Sequence, residues 1–457
     1  MEIERLWIER MGKLKDFEIE FSSPHNLHFG NLKVSVIVGE NGTGKTSLLR
    51  FLSEVFVGSQ RLRTNYSIQY EVNGKRNYVT NGGFDTDSDS YPTKVIVSTY
   101  SPFDQFKQSQ SPSSRVGPVE YAYAGATTSA PIGATRTPTG LSSVYLPVLK
   151  NFFDLDLKKS KSIRGLVQEI GYSDFPYVEL KRNLSSLRLD NIRSIGDNVP
   201  FDVDEKVQQL FQFNKGIAIR VSSKTQQLDN LPLLHPDTGV SKLLISPDSL
   251  ILYPGGAQEW LKDIIALSSC GINMISSLWF PKKDALIRMS HLSSGELSLF
   301  FRFFRMIDAM VDNALVLIDE PEIHLHPKWI QKYVSIIKEV FGHYDAHIIM
   351  ATHSPMIASD VPKECIIGLK YISESNRIEQ YKVHEQTFGS SPIEILREVF
   401  GLETYFGSVT NDLISRIHYL LDNGEINKAQ RLYNDLGDSD EKYSLFIRLK
   451  KAGVKES

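Results

Sequence analysis

A glycine-rich loop between a buried strand and a helix is the feature that most constrains this chain. Residues 33–38 form a Val/Ile-rich run typical of a strand that is buried on both faces. The next residues, Gly39–Thr46, read G-E-N-G-T-G-K-T, and residues 46–57 carry apolar side chains at helical spacing. Glycines let such a loop wrap so that backbone N–H groups point inward, and the helix N-terminus adds partial positive charge. The sequence therefore predicts an anion site where this strand ends.

The loop also contains the side chains that phosphate chemistry requires. Its sequence matches the pattern G-x-x-x-x-G-K-[ST] in full. In that pattern Lys45 contacts the β- and γ-phosphates of a nucleotide, and Thr46 holds Mg²⁺. The residues predicted to bind nucleotide in this loop and helix are Gly39, Asn41, Gly42, Gly44, Lys45, Thr46 and Ser47.

A second buried strand ends in two adjacent carboxylates. Residues 315–318 read Leu-Val-Leu-Ile and are followed by Asp319 and Glu320. Ionised acids at the end of an apolar strand are costly unless a cation or a hydrogen-bond partner is present. In a parallel sheet beside the phosphate loop, Asp319 can share Mg²⁺ with Thr46, and Glu320 can deprotonate the attacking water. We predict Thr46 and Asp319 as metal ligands and Glu320 as the catalytic base.

Two shorter motifs are ambiguous when each is considered alone. Residues 292–296 read L-S-S-G-E and open a predicted helix over 297–310, so Ser293 with Glu296 fits an ordinary N-cap equally well. Residues 351–355 read A-T-H-S-P after a predicted strand over 346–350, and His353 there is compatible with a simple polar loop residue. Neither motif by itself establishes a function.

The remaining pattern predicts an α/β domain with a long insertion. From residue 286 strands and helices alternate, which implies a parallel sheet that completes the one begun by residues 33–57. Further strands are predicted over 3–8, 17–21 and 94–98, with a hairpin turning at Asn73-Gly74. Residues 108–143 are rich in Ser, Gly, Ala, Thr and Pro and predict a long loop that is mobile or ordered by a partner.

Composition limits the class of protein. The 457 residues carry a net charge of −3, so there is no overall basic excess of the kind that nucleic-acid binding proteins show. The chain has 2 cysteines and no apolar run near the roughly 18 residues that span a bilayer. We expect a cytoplasmic protein with no membrane association.

The order of the four motifs resembles the ATP-binding-cassette (ABC) ATPases, with Walker A loop, signature, Walker B and switch histidine in turn. The resemblance implies a P-loop ATPase head, with ATP and Mg²⁺ as cofactors. It also implies that ATP lies between two protomers, with Ser293 and Gly295 reaching the nucleotide of the partner, and that His353 contacts the γ-phosphate. The active form would then be a homodimer or a larger homo-oligomer. Gln105 is the best candidate for the catalytic glutamine of the family, and an ordinary loop glutamine is an equally good interpretation.

The loop after Walker B distinguishes among ABC-type proteins. Residues 320–327 read E-P-E-I-H-L-H-P, and this loop with residues 352–355 resembles the RecF-like and overcoming-lysogenization-defect (OLD) ATPases of the AAA class. His324-x-His326 suggests either a metal site or a dimer-interface loop, and no further ligand cluster accompanies the pair. The insertion has no sustained heptads, so it does not predict the coiled coil of structural-maintenance-type relatives.

These observations give a fold class and four segments. We predict an α/β fold in which an ABC-type head is split by an inserted α+β region and followed by a helical C-terminal region. The segments are residues 1–108 (Walker A half), 109–285 (mobile loop and insertion), 286–385 (signature, Walker B and switch histidine) and 386–457 (helical tail that binds a partner).

The tail indicates what the ATPase controls. Residues 386–396 resemble the T-[YF]-G-x-x-x-x-x-I-L segment of ATPases encoded beside a separate nuclease, including the ATPase subunits of Septu-type anti-phage systems, which partner an HNH endonuclease. We expect no nuclease site in this chain, since the acidic pair Asp438 and Asp440 falls between two predicted helices. The resemblance implies a defence ATPase that senses infection and regulates such a nuclease, with any DNA contact made through that partner.

An alternative is a RecF-like ATPase of DNA repair that grips duplex DNA itself. The basic residues that would contact the DNA form the densest basic cluster of the insertion: Lys158, Lys159, Lys161 and Arg164. Such a cluster is also typical of an ordinary solvent-exposed helix face.

Overall fold

A seven-stranded sheet forms the core of the first compact unit, Met1–Gly389. The computed structural model describes residues 1–21, 28–58, 62–81, 83–84, 90–101, 106, 119–125, 139–153, 156–173, 175–180, 243–245, 256–269, 275–283, 285–402 and 406–453. In spatial order the strands of this sheet are β16 (Arg377–Tyr381), β15 (Ile366–Ile372), β3 (Lys33–Gly39), β14 (Ala346–Ala351), β13 (Ala314–Asp319), β7 (Lys94–Thr99) and β8 (Glu120–Tyr123). The predicted α/β fold is confirmed.

The register of this sheet determines which strand ends meet. β16 is antiparallel to β15, and the other neighbouring pairs are parallel. Asp319 of β13 lies opposite Ala351 of β14, which lies opposite Ile37 of β3. The carboxyl ends of these three strands therefore reach one edge of the sheet, although they are far apart in the chain.

An antiparallel sheet covers one face of the head. It contains β2 (Leu14–Glu20), β1 (Glu2–Met11), β4 (Tyr66–Val72), β5 (Lys75–Thr80) and β6 (Gly83–Phe84), in that order. Asn73 and Gly74 both have positive φ, 54° and 74°, so the predicted hairpin turn is present, with the backbone of a type I′ turn. Helix α1 (Lys45–Val57) shares one apolar core with this sheet and with the seven-stranded sheet, through residues such as Leu48, Leu52 and Phe56.

The insertion builds a small α+β region of its own. Its described elements are α2 (Thr139–Phe152), α3 (Leu157–Ile170), β9 (Tyr177–Leu180), β10 (Leu243–Ile245), α4 (Gly256–Ser269), β11 (Ile275–Lys282) and β12 (Ala285–Arg288). The strands pair antiparallel in the order β10-β9-β11-β12. The strand predicted around Ile287 is thus β12, but it hydrogen-bonds to β11 here and does not join the central sheet, which resumes only at β13.

The remaining elements of the head are helical. Helix α5 (Ser294–Ala309) follows a 3₁₀ turn over Met289–His291. Helices α6 (Pro327–Phe341) and α7 (Pro355–Ala358) follow β13 and β14. Helix α3 of the insertion contacts both α5 and α6, so the insertion is packed directly on the head.

One prediction for residues 108–143 needs correction. This stretch was expected to be a loop throughout, yet β8 pairs in parallel with β7 inside it. Tyr121 and Tyr123 supply the reason, because their rings pack against the apolar core and aromatic residues favour strands. α2 then begins at Thr139. The other residues of the stretch lie outside the described part of the chain.

The chain divides into two compact units, Met1–Gly389 and Ser390–Ser457, and the second consists of helices. Its helices are α8 (Pro392–Glu398), α9 (Ser408–Asp422), α10 (Ile426–Asn434) and α11 (Asp440–Lys451). The last three share a core made of Ile417, Leu420, Ala429, Leu436, Leu445 and Leu449. Among the described residues, no helix is both long and apolar enough to cross a membrane.

Candidate functional site

The phosphate loop holds its lysine on its own carbonyl groups. Lys45 Nζ donates to the carbonyl oxygens of Gly39 at 2.8 Å and Glu40 at 3.0 Å, and the residue is only 6% exposed. Burial lowers the pKa of Lys45 to about 8, against the opposing effect of nearby carboxylates, of which Glu320 acts most strongly. Two neutral carbonyls only partly compensate a buried ammonium, so an anion in this loop would be strongly favoured.

Glycine is required at two places in this loop. Gly44 precedes α1 with a φ of 82°, in the left-handed region that side chains disfavour. A Cβ on Gly39 would lie 2.4 Å from the carbonyl oxygen of Leu369 on β15. Asn41 and Gly42 are exposed at the tip of the loop, and Ser47 is half-buried on α1. The glycines therefore allow the loop to adopt this conformation, and the tip of the loop remains accessible to a ligand.

The two predicted metal ligands are in direct contact. Thr46 Oγ1 donates to Asp319 Oδ1 at 3.1 Å across 273 residues of sequence. Asp319 is 2% exposed, and burial raises its pKa to about 7, although the hydrogen bond from Thr46 acts in the opposite direction. A hydroxyl and a buried carboxyl oxygen side by side are ligands that Mg²⁺ accepts, and the cation would remove the cost of the buried charge. The site fits the predicted metal.

Glu320 directly follows this pair and has an unusual backbone. Its φ is 47°, in the left-handed region, and its N–H donates to the carbonyl of Ala351 at 2.9 Å. A non-glycine residue in this region is strained and persists only where surrounding contacts hold it. The hydrogen bond ties Glu320 to the end of β14, directly before the switch loop. The role of Glu320 as the catalytic base stays a prediction.

The switch histidine is held by an acid that the sequence did not single out. The backbone N–H of His353 donates to Glu322 Oε1 at 2.6 Å, and Thr352 Oγ1 donates to Glu322 Oε2 at 2.9 Å. Burial, followed by the positive charge of Lys45, lowers the pKa of His353 to about 4. The imidazole is therefore neutral near pH 7. The negative charges of Asp319 and Glu320 act on Lys45, and the positive charge of Lys45 acts on His353. The fold therefore brings these four predicted residues close together.

A buried arginine supports the loop after Walker B. Arg302 of α5 is 1% exposed and donates to the carbonyls of Pro321, at 2.8 Å, and Ile323. Its guanidinium carbon lies 3.8 Å from the centre of the Tyr100 ring. The sequence contains a signal for it, a single arginine within the aromatic run of residues 300–304, but not the identity of its partners. Arg302 links the signature helix to the loop that carries Glu322.

The signature motif lies apart from this cluster. Ser293 is exposed and caps α5, and its Oγ accepts the backbone N–H of Glu296 in a complete capping box. Gly295 faces the indole of Trp329. Among the described contacts, none joins Ser293 or Gly295 to the phosphate loop of the same chain. Ser293 therefore caps α5, as one of its two interpretations predicts, and its side chain remains accessible to solvent.

Other predicted features have mixed outcomes. Gln105 lies outside the described residues. His326 caps α6, its Nδ1 accepting the N–H of Lys328 at 3.2 Å, and within the described part of the chain there is no group of three His, Cys, Asp or Glu suited to a metal.

In the basic cluster, Lys158 pairs with Asp312 at 2.5 Å and Lys159 donates to the carbonyl of Asp308 at 3.0 Å. Those two lysines are directed at the head of the same chain.

The segment that suggested a partner nuclease has a structural role. The hydroxyl of Thr387 is buried and donates to the carbonyl of Val361 at 2.7 Å, and Gly389 has a φ of 81°. Both residues belong to the first unit, and the helical unit begins at Ser390, four residues after the predicted boundary. Between α10 and α11, Asp438 is fully exposed and Ser439 caps α11.

Two family profiles match the chain. Residues 5–113 match a family described as an AAA domain. Residues 145–359 match a second family described as "AAA domain, putative AbiEii toxin, Type IV TA system". The first match contains the phosphate loop, and the second contains the signature, Walker B and switch motifs. The chain therefore carries AAA-type ATPase domains.

Three curated proteins are similar over shorter segments. Protein ea59 of Escherichia phage lambda is 35% identical over 136 residues, 30% of this chain and 23% of that protein. The Retron Vc95 probable ATPase of Vibrio cholerae is 33% identical over 96 residues, 19% of this chain and 18% of that protein. Septu protein PtuA of Bacillus thuringiensis is 30% identical over 124 residues, 27% of this chain and 31% of that protein. The chain thus spans less than a third of each.

Among solved structures, the SMC head domain from Thermotoga maritima aligns with 84% of this chain and 100% of its own at a TM-score of 0.36 and 12% identity. The crystal structure of the SmcHead bound to the C-winged helix domain of ScpA aligns with a TM-score of 0.33 and 14% identity, covering 83% of this chain and 97% of that chain.

Proposed function

We propose that this AAA-type ATPase, which is similar to defence-system ATPases, hydrolyses ATP between two copies of itself and thereby regulates a separate nuclease. The contact between Thr46 and Asp319 carries the ATPase assignment. It joins the phosphate loop to the acidic strand end, as a Mg²⁺-dependent phosphoryl-transfer site requires. The defence role is supported by the similarity to the retron ATPase and to PtuA.

Nucleotide binding would begin at the phosphate loop. Lys45 exchanges its bonds to the carbonyls of Gly39 and Glu40 for the β- and γ-phosphates, and the backbone N–H groups before α1 bind the remaining oxygens. Thr46 and Asp319 would hold Mg²⁺, which neutralises charge on the phosphates when bound. The positive charge of Lys45 is therefore compensated by directly bonded anionic oxygens only when nucleotide is present.

Hydrolysis then requires a base and a donor. Glu320, whose backbone N–H is bonded to Ala351 at the end of β14, takes the proton of the attacking water. The water oxygen bonds to the γ-phosphorus while the bond from this phosphorus to the β–γ bridging oxygen breaks, which releases ADP and phosphate. His353 is neutral at pH 7, since its pKa is about 4, so it can donate a hydrogen bond to a γ-phosphate oxygen without delivering a proton. Glu322 fixes the backbone from which His353 projects.

Completion of the site would need a second copy. Ser293 is exposed, and its described side-chain contacts are with Glu296 of its own helix rather than with the phosphate loop. A signature that acts in trans explains why an accessible serine caps α5 without contacting its own nucleotide site. The minimum active assembly is therefore a homodimer, with larger homo-oligomers compatible with the same contact.

The partner nuclease would bind through the helical unit. Its three-helix core is self-contained, and large apolar side chains remain exposed on it, including Val409, Tyr419 and Tyr443. An HNH-type nuclease is the class that the sequence of residues 386–396 favours. Any contact with DNA would then be made by that partner. The chain itself would act in the cytoplasm.

Mixed dimers test the trans-acting site. A Lys45→Ala chain and a Ser293→Arg chain should each be inactive alone, and mixing them should restore ATPase activity, because one composite site per mixed dimer is intact. The control is a mixture of Lys45→Ala with a Lys45→Ala/Ser293→Arg chain, in which no site is intact. An inactive mixture of the two single variants, at concentrations where dimers form by light scattering, contradicts the proposal.

The defence role has its own test. The full chain, co-expressed with the product of the adjacent gene, should co-purify with a protein that has nuclease motifs, and Lys45→Ala should abolish protection in a phage plating assay. The DNA-repair alternative instead requires duplex DNA to stimulate the ATPase with a steep salt dependence. With Lys158 and Lys159 directed at the head, no described contact favours that alternative.

A further inference from the structure

We infer that Tyr172 and Lys282 of the insertion are positioning residues for the signature serine, and that the insertion sets the rate of hydrolysis through them. The two residues hold one oxygen of Glu296, and the other oxygen of Glu296 holds Ser293. This inference rests on the proposed trans-acting role of Ser293. It assigns the insertion a task that neither the motifs nor the similar proteins indicate.

The carboxylate of Glu296 is shared between two groups of partners. Its Oε2 accepts the hydroxyl of Ser293 at 2.8 Å and the backbone N–H of Ser293 at 2.9 Å. Its Oε1 accepts Lys282 Nζ at 3.3 Å and the hydroxyl of Tyr172 at 3.3 Å. Burial raises the pKa of Glu296, but the bonds from Ser293 and Lys282, with the lysine charge, keep this pKa below its usual value. The serine is therefore connected to the insertion through one side chain.

An ordinary capping box does not need such support. At the start of α8, Ser391 and Glu394 form the same reciprocal pair, with Ser391 N–H donating to Glu394 Oε2 at 3.0 Å. That pair caps its helix with no lysine or tyrosine among its described contacts. The additional partners at Glu296 therefore exceed what helix capping requires, and they come from an element outside the head.

Lys282 and Tyr172 are themselves fixed in place. Lys282 Nζ lies 4.5 Å from the centre of the Tyr172 ring, a cation–π contact. Two residues before Lys282 on β11, Phe280 packs against both Tyr172 and Phe300 of α5, with ring centres 6.0 Å apart in each case. Strand β11 is thus joined to the signature helix by an apolar contact and by the bonds to Glu296.

This arrangement couples the insertion to the hydroxyl of Ser293. In the structure that hydroxyl donates to Glu296, whereas a γ-phosphate in the partner site needs it as a donor. Because Lys282 and Tyr172 bond Oε1 of Glu296, they fix the position of Oε2 and therefore of the Ser293 hydroxyl before the phosphate binds. A displacement of β11 would release Glu296 and misplace Ser293, so anything that binds the insertion can change the turnover of the partner's site.

Single substitutions test the role of the two residues. Lys282→Ala and Tyr172→Phe should each lower kcat by about threefold to tenfold, because each removes one hydrogen bond that acts on Ser293 only indirectly, through Glu296. Nucleotide affinity, measured with a fluorescent ATP analogue, should stay within twofold, because the phosphate loop is untouched. Lys282→Arg keeps the ion pair and should restore most of kcat.

The matched control is Lys332→Ala. Lys332 pairs with Glu169 at 3.5 Å, so it also joins the head to the insertion, and its exposure is close to that of Lys282, 44% against 40%. This variant should keep the parental kcat. Equal losses for Lys332→Ala and Lys282→Ala would mean that any insertion contact matters, and parental kcat in both Lys282→Ala and Tyr172→Phe would also overturn the inference.

Mixed dimers place the effect on the correct site. Each mixture contains a large excess of the chain that carries Lys45→Ala, so that nearly every chain with an intact phosphate loop is in a mixed dimer. In a mixture of parental chain with Lys45→Ala/Lys282→Ala, the one competent site then uses the altered signature, so its rate should fall by the same factor as in Lys282→Ala. In a mixture of Lys45→Ala with Lys282→Ala, that site uses an unaltered signature and should match the reference mixture of Lys45→Ala with parental chain. The opposite pattern would place Lys282 in cis and overturn the inference. Failure of the proposed function itself would instead be seen as no rescue between Lys45→Ala and Ser293→Arg.

Discussion

Glu322 Oε1 accepts a hydrogen bond from the backbone N–H of His353 at 2.6 Å, joining the loop after one strand to the loop after its neighbour. The second oxygen of Glu322 accepts the Thr352 hydroxyl, so both oxygens of this buried acid serve the switch loop. The strands β13 and β14 end side by side, which leaves their loops free to move independently unless something joins them. Glu322 is that connection.

We expect Glu322→Ala to lower kcat about tenfold or more while leaving nucleotide affinity nearly unchanged. A hydrogen bond to a charged group is worth about 1.5–3 kcal/mol, and its loss would release the His353 backbone. Glu322→Gln keeps one acceptor oxygen and should lose less than Glu322→Ala. Steady-state ATPase assays with separate binding measurements check this prediction. Equal loss in both variants, or a loss confined to nucleotide affinity, would contradict the positioning role.

We expect Glu320→Gln to bind ATP and to accumulate as a closed dimer. The amide keeps the size of the side chain but cannot accept the proton of the attacking water. Size-exclusion chromatography with light scattering should therefore detect an ATP-dependent dimer that the parental chain forms only transiently. Glu322→Gln makes the same change two residues further along, at a positioning residue, so it should accumulate less ATP-bound dimer than Glu320→Gln. Parental hydrolysis by Glu320→Gln would show that the base is another residue.

We expect Arg302→Met to lower both the melting temperature and kcat. The substitution fills a similar volume but leaves the carbonyls of Pro321 and Ile323 without their donor, at a cost of about 1–3 kcal/mol for each buried group. Ser298→Ala removes only the hydroxyl that accepts a hydrogen bond from Arg302 Nε at 3.3 Å, so its effect on the melting temperature and on kcat should be small. Thermal denaturation followed by ATPase assays separates the two variants. A parental kcat in Arg302→Met would mean that the loop holds its shape without the arginine.

We expect acid to destabilise the head through His347. This residue is fully buried, and its Nδ1 accepts the N–H of Ile3 at 3.0 Å while its Nε2 bonds Ser35 Oγ at 2.9 Å. Burial, with smaller contributions from the N-terminal ammonium and Lys33, lowers its pKa to about 3. A lowered folded-state pKa contributes stability that is complete above the ordinary value of 6.5 and is lost as the pH falls toward 3.

The loss amounts to about 2 kcal/mol between pH 7 and pH 5. His347→Gln can make similar hydrogen bonds but does not titrate, so its melting temperature should depend less on pH over this range than that of the parental chain. Thermal denaturation of both chains at several pH values measures the difference. Parallel curves would show that His347 is not the group responsible.

The sequence by itself predicted the phosphate-binding chemistry of this protein and determined the type of its fold. The loop Gly39–Thr46 after a Val/Ile run predicts a phosphate site because its glycines, lysine and hydroxyl are required locally, within a single strand–loop–helix unit. Asp319 and Glu320 could be predicted as its partners because an apolar strand ending in two acids needs a cation. Their positions at one sheet edge followed from the strand–helix order.

Only the tertiary structure decided which side chains complete the site. Glu322, Arg302 and Lys282 contact residues that are distant in the chain. The sequence around Glu322 and Lys282 gives the same pattern as ordinary loop or surface charges, and the aromatic run around Arg302 does not identify its partners. β12 likewise has a normal strand pattern, and only its pairing with β11 assigns it to the insertion. Local pattern fixes backbone conformation and residue chemistry, whereas a hydrogen bond between distant residues depends on how strands are ordered and helices are packed.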